Sequence, residues 1–195
     1  MIIESIITTL GADGTPHLAP MGVILEEGGL EEGGPEGEER PILAPFRPSA
    51  TLENLTRSGS AVINHVDDVR IFAGCLTGRR DWPSFPARKI AGIVLKAALA
   101  HQEISVERVE EDALRPRFHC RILHAESHGA FRGFNRAQAA VIEAAILASR
   151  LHMLPREKVD SELAYLGIAI AKTAGPRELE AWNWLLERIG KESAS

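Results

Sequence analysis

The stretch that decides the fold is Ile2-Ile-Glu-Ser-Ile-Ile-Thr-Thr9, followed by Gly11-Ala-Asp-Gly14 and His17-Leu-Ala-Pro-Met-Gly-Val-Ile-Leu25. Two β-branched runs flank a Gly/Asp turn, which predicts an antiparallel hairpin at the start of the chain. Further along, Pro41–Phe46, Gly59–His65 and Val69–Ala73 predict strands, as do Ile104–Val109 and Arg117–Leu123. In the last of these Phe118, Cys120 and Ile122 face one way and Arg117, His119 and Arg121 the other. Glu110-Glu111-Asp112 supplies turn residues between them.

From Asn135 the apolar period becomes helical. Arg136–Leu154 is apolar on most of its surface, with Arg136, Glu143 and Arg150 as one narrow polar stripe, so it needs cover on several sides. Asp160–Lys172 is a second helix. Gly175-Pro176 ends it and opens a third, whose expected buried face is Leu179, Trp182, Leu186 and Ile189. Trp184 falls on the polar side of that helix, beside Arg177 and Arg188, which suggests an interface. Strands first and helices after them make an α+β chain; the short turns favour a small antiparallel barrel followed by a C-terminal three-helix segment. The expected division is 1–130 and 131–195.

The 195 residues are 45% hydrophobic and carry a net charge of −5. Seven glutamates and no base lie in Glu26–Glu39, so the rest is close to neutral and lacks the basic field of a nucleic-acid binder. That Glu/Gly stretch has only Leu30 to bury and is expected to be a solvated loop, dispensable for folding. The longest charge-free run, Gly14–Leu25, is too short to span a membrane and is broken by Pro16 and Pro20. Met1-Ile-Ile-Glu lacks the basic start and apolar run of a signal peptide. Two cysteines, Cys75 and Cys120, are too few for a disulfide scaffold, so a reducing cytoplasm is expected.

Dinucleotide and P-loop fingerprints do not occur, and glutamates in the Gly-rich stretch would repel a phosphate. His119, Cys120, His124 and His128 invite a metal reading, but strand alternation sets 119 against both 120 and 124, so no metal site is expected. Asp67-Asp68 are adjacent carboxylates that diverge on a strand; starting a strand or capping a turn suits them better than acid–base work.

Pro45-Phe-Arg-Pro-Ser-Ala-Thr-Leu-Glu-Asn-Leu-Thr56 carries the strongest site signal. Arg47 brings a fork of donors, Ser49 and Thr51 bring hydroxyls, and either hydroxyl can cap a helix running to about Arg57. Free N–H groups at the helix start complete a cradle suited to a phosphate dianion.

The order Thr8-Thr9, Gly14-x-Pro-His-Leu-Ala-Pro-Met-Gly22, Arg47-Pro-Ser-Ala-Thr-Leu-Glu-Asn54, Gly59-x-Ala-Val-Ile-Asn64 resembles the split-barrel flavin-binding proteins of the flavin reductase type. More closely, the chain from Ile2 to about Trp184 resembles the DUF447 family, which joins such a barrel to a helical segment; Gly133-Phe-Asn-Arg-Ala137 matches a stretch of that family. The resemblance implies a homodimeric antiparallel split β-barrel that binds FMN near the subunit interface. Carried over by position, Arg47, Pro48, Ser49 and Thr51 would hold the phosphate. Thr8, Thr9, His17, Ala19, Pro20, Met21 and Gly22 would line the isoalloxazine, and Asn64 closes the motif. The chain departs from the flavin reductase pattern at His17, in the acidic stretch and in the helical tail.

The function expected on this basis is an FMN-dependent oxidoreductase acting on a small substrate. Alternatives are a non-catalytic FMN carrier or sensor, a deazaflavin binder and a cofactor-free dimeric scaffold.

Overall fold

The computed structural model describes residues 1–26 and 40–192. The acidic stretch read as a dispensable loop lies, except for Glu26, outside the described residues. The chain divides into two compact units, one comprising Met1–Val66 and Trp82–Ala130, the other Asp67–Asp81 and Phe131–Ser195.

The first unit is a closed antiparallel barrel. Its strands are β1 (Ile2–Leu10), β2 (Pro16–Glu26), β3 (Arg40–Leu43), β4 (Ser60–Val66), β7 (Ala98–Glu110) and β8 (Arg117–Ser127), ordered β1-β2-β3-β8-β7-β4. The β1–β2 hairpin pairs Thr9 with His17 and Ile2 with Ile24. Asp13 closes its turn by accepting from the Thr15 amide and hydroxyl, at 2.9 and 2.8 Å, and Gly14 takes the positive φ of 81° that the turn demands. Ile7, Val23, Leu43, Ala61, Ile63, Ile104, Phe118 and Cys120 fill the barrel with Leu52 and Leu55 of α1 (Ala50–Ser58). The expected alternation in β8 is what buries Phe118 and Cys120 and leaves Arg121 exposed.

A short hairpin, β5 (Ser84–Pro86) with β6 (Ile93–Leu95), lies over the opposite face of β1, β4 and β7. Thr8 Oγ1 donates to the Ile93 carbonyl at 2.6 Å, and the Leu95 amide donates to Asn64 Oδ1 at 2.8 Å. Sequence reading does not find this hairpin, since each strand is only three residues long, β5 follows Pro83 and ends on Pro86, and β6 follows Gly92.

The second unit is helical: α2 (Arg70–Thr77), α3 (Arg136–Ser149), α4 (Arg156–Thr173) and α5 (Pro176–Glu192). Val69–Ala73 is therefore not a strand. Asp68 Oδ1 accepts from the Arg70 amide at 3.2 Å and starts α2, whose Ile71, Phe72, Ala73 and Cys75 are all buried. A short apolar run buried on every side reads alike as strand or helix. Helix α3 stops at Ser149 rather than Leu154; a 3-10 turn over Leu151–Met153 follows, and Pro155 disfavours helical backbone at the residue before it. The core of this unit joins Ala137, Val141, Ala144 and Ala148 of α3 to Val159, Ile170, Ala181, Trp182, Leu185 and Ile189. On α5 the buried face is thus Ala181, Trp182, Leu185 and Ile189, whereas Leu179 and Leu186 are 45% and 38% exposed. Trp184 is half-buried, packed against this core with the Arg79 guanidinium 4.4 Å above its ring. Its indole thus finds cover within its own unit. Among the described residues no helix is long and apolar enough to cross a membrane.

Candidate functional site

Ser49 is the N-cap of α1: extended backbone (φ −160°, ψ 150°) precedes the helix, and its Oγ accepts from the Leu52 amide at 3.2 Å. Thr51, the second residue of the helix, is 3% exposed. Arg47 projects from the segment leading into the helix, half-exposed, with Nη2 3.3 Å from Glu111 Oε2. That acid is 78% exposed, so solvent screens the pair and a better anion can take its place.

The lead-in segment is held by a loop that the sequence reading treats only as a turn. Asp112 Oδ1 accepts from the Leu114 and Arg115 amides at 2.8 and 2.7 Å. Arg115 then donates from Nε and Nη2 to the Ala44 carbonyl, at 3.1 and 3.0 Å, and lies 4.4 Å over the Phe46 ring. The Arg47 amide donates to the Leu114 carbonyl at 2.8 Å. Arg115 is the positioning residue missed by sequence analysis; the Asp112-x-x-Arg115 turn is the signal that could have found it.

At its other end α1 is tied to the hairpin. Asn54 Nδ2 donates to Thr9 Oγ1 at 3.0 Å, and Arg57 donates to the Leu10 carbonyl. Thr9 pairs with His17 across the ladder, and Ile7, Ile6, Ser5 and Glu4 pair with Ala19, Pro20, Met21 and Gly22. The structure therefore brings Arg47, Pro48, Ser49 and Thr51 together at the start of α1 and sets Thr9, with its ladder partner His17, beside Asn54 of that helix; Ala19 and Met21 lie farther along the same strand face, while Pro20 and Gly22 fall on the face of Thr8. Gly22 is small for a packing reason: a Cβ there would stand 2.6 Å from Ile2 Cγ2. Met21 packs against the barrel core.

Thr8 and Asn64 are placed elsewhere. Successive strand residues point to opposite faces, so Thr8 faces away from Thr9. Asn64 is fully buried, donates to the Ile6 carbonyl at 3.1 Å and Thr8 Oγ1 at 3.3 Å, and accepts from Leu95. Both side chains hold the β5–β6 hairpin on the barrel.

His119 is placed with Glu110, its Nε2 3.2 Å from the carboxylate, while Cys120 lies in the core, where burial pushes its thiol up to about 12. His124 meets neither. The β7–β8 register sets it opposite Glu103, and with His101 these form a group whose ligand atoms lie within 4.8 Å of one another. Among His119, Cys120, His124 and His128 the sequence offers only opposed strand faces and no Cys-x-x-Cys or His-Glu-x-x-His motif; β7 begins at Ala98 rather than Ile104, and that extension sets His101 and Glu103 beside His124.

The profile of the DUF447 N-terminal domain matches residues 3–129, and that of the DUF447 C-terminal domain matches 135–187; both are described as proteins of unknown function. No curated protein matches the chain. Among solved structures, an FMN-bound DUF447 protein from Methanosarcina mazei is similar over 96% of this chain and 94% of its own, with a TM-score of 0.78 and 22% identity. The 2-nitrobenzoate 2-nitroreductase of Pseudomonas fluorescens is similar over 64% of each chain, with a TM-score of 0.52 and 17% identity. Flavoredoxin from Methanosarcina acetivorans is similar over 65% of this chain and 69% of its own, at 0.53 and 14%. The barrel is thus the split barrel of flavin reductase-like proteins, and with both domain profiles matched in order along nearly its whole length, the chain belongs to the DUF447 family.

Proposed function

We propose that the barrel unit binds FMN, with Arg47, Ser49, Thr51 and the α1 N-terminus on the phosphate and the His17–Gly22 strand along the isoalloxazine. The observation that carries this reading is the shared fold, over almost the whole of both chains, with an FMN-bound member of the same family. The local chemistry supports it. A dianion at the start of α1 meets the positive end of a helix dipole and the Arg47 fork, which the exposed Glu111 holds only weakly. FMN would supply the redox chemistry; this chain's part is to grip the phosphate, present backbone to a flat ring and keep that face dry.

On the same reading the protein is an oxidoreductase of a small substrate and works as a homodimer in the cytoplasm. The likeness to a 2-nitrobenzoate 2-nitroreductase and to a flavoredoxin supports redox work on this fold, though a fold hosts many chemistries. The purified protein should be yellow, release FMN on denaturation, bleach anaerobically with NADH or NADPH, and sediment at twice the chain mass at micromolar concentration. A colourless protein that takes up no added FMN refutes the cofactor. A yellow one that neither pyridine nucleotide reduces points to the carrier reading instead.

A further inference from the structure

Away from the α1 segment, under the β5–β6 hairpin, the barrel wall carries a second polar cluster. His101 and Glu103 are two residues apart on β7 and share a face; across the ladder they stand opposite Glu126 and His124 of β8. His101 is 1% exposed and Glu103 fully buried, a costly place for an imidazole and a carboxylate without a task for both.

Each of the two is oriented from behind. His101 Nδ1 is 2.8 Å from His128 Nε2, the rings parallel within 1° and their centroids 5.0 Å apart, so they meet edge to edge. Glu103 Oε1 accepts from the Arg88 amide at 2.7 Å, and Oε2 from the Lys89 and Ile90 amides at 2.6 and 3.2 Å. One atom is left over. His101 Nε2, wholly buried, has no hydrogen-bond partner among the described residues and stands 3.5 Å from Glu103 Oε1.

We propose that His101 Nε2, Glu103 Oε1 and a ring nitrogen of His124 form a binding site for a divalent transition-metal ion of the zinc class, with solvent as a further ligand. About 3.4 Å is the separation of two ligand atoms around a tetrahedral ion bound at about 2.0–2.1 Å, close to the 3.5 Å found here. Oε1 makes one backbone bond and keeps a second lone pair for the ion. The His101–His128 bond and the Glu103–amide bonds are the outer contacts that fix metal ligands in orientation. His124, with a side chain 21% exposed and its Nε2 3.4 Å from Glu126, is the third ligand and borders the solvent side of the site. Arg88 reaches Glu126 at 3.3 Å and stays largely in solvent, so its charge is spent on that acid. Two imidazoles and one carboxylate suit zinc or cobalt better than magnesium or calcium, which want oxygen alone.

The test is a titration of the chelator-stripped, flavin-free full chain with Co²⁺, followed by visible absorption and then by displacement with Zn²⁺. One equivalent should give the intense bands of a four-coordinate ion, and Zn²⁺ should erase them and raise the melting temperature. His124→Ala, at a partly exposed position where folding can be checked by circular dichroism, should weaken binding at least tenfold. His128→Ala should weaken it by about tenfold through the outer contact. His152→Ala, an exposed histidine elsewhere, should change nothing. A missing cobalt spectrum, or one that survives unaltered in folded His124→Ala, overturns the site. Because flavin is absent throughout, the outcome is independent of the FMN reading.

Discussion

Asn54 Nδ2 donates to Thr9 Oγ1 across 3.0 Å, and both residues are buried. This one bond joins the helix whose first turn carries Ser49 and Thr51 to the strand paired with His17–Gly22. It sets the spacing between the two halves of the candidate flavin site.

Asn54→Ala should therefore do two things. Leaving the Thr9 hydroxyl without its partner should destabilise the protein by about 1–3 kcal/mol, readable as a lower urea midpoint. FMN affinity should also fall, although Asn54 itself lies beyond the helix start. Unchanged affinity in a destabilised variant would limit the bond to a packing role.

The helical unit should be acid-sensitive through Asp68. Arg70 holds this carboxylate at 2.7 and 2.9 Å, with Arg177 at 3.9 Å. Burial alone would raise the Asp68 carboxyl, but the Arg70 fork and amide outweigh it and leave it below the ordinary 3.8. A carboxyl lowered in the folded state stabilises above its unfolded value, and that contribution is lost as pH falls from about 4 downward. Asp68→Asn, which takes the carboxylate from Arg70 and leaves its contact with Glu180 at 3.1 Å, should cost about 1.5–3 kcal/mol at pH 7, with the gap to wild type narrowing below pH 4. Parallel pH–stability curves for the two proteins would count against this.

Glu111 competes with an incoming anion for Arg47. Removing its charge by Glu111→Gln should tighten FMN binding by a few tenths to about 1 kcal/mol, the worth of an exposed ion pair, and the gain should shrink at high salt. Weaker binding in this variant would mean that Glu111 positions Arg47 rather than opposing the ligand.

What the sequence disclosed and what it hid follow a physical division. The hairpin, the α1 cap and the alternation in β8 are local, and each has a turn residue, an N-cap or a two-residue period to mark it. Gathering His17, Thr9 and the α1 segment took the motif order of a family in addition. Ile71-Phe72-Ala73 was ambiguous because burial on all sides erases periodicity. Leu179 and Leu186 lie beside the buried face of α5 rather than on it, because Ala181 and Leu185, equally apolar and one or two residues away, take the core instead. His101 and Glu103 stayed hidden for a different reason. Nothing in Ala98–Glu103 alternates cleanly, and only the register with β8 and the cover of β5–β6 make those two polar side chains neighbours of His124.

Arg47 is the proposed phosphate anchor, and its role is decided by titrating apo wild type and Arg47→Ala with FMN and with riboflavin, side by side. The exposed Arg47 side chain makes its truncation harmless to folding, so affinity alone should respond. FMN binding should weaken by about 1.5–3 kcal/mol, the scale of a hydrogen bond to a charged group, while riboflavin, which has no phosphate, should bind both proteins alike. An equal loss for both ligands, or no loss for FMN, would contradict the phosphate site at the start of α1.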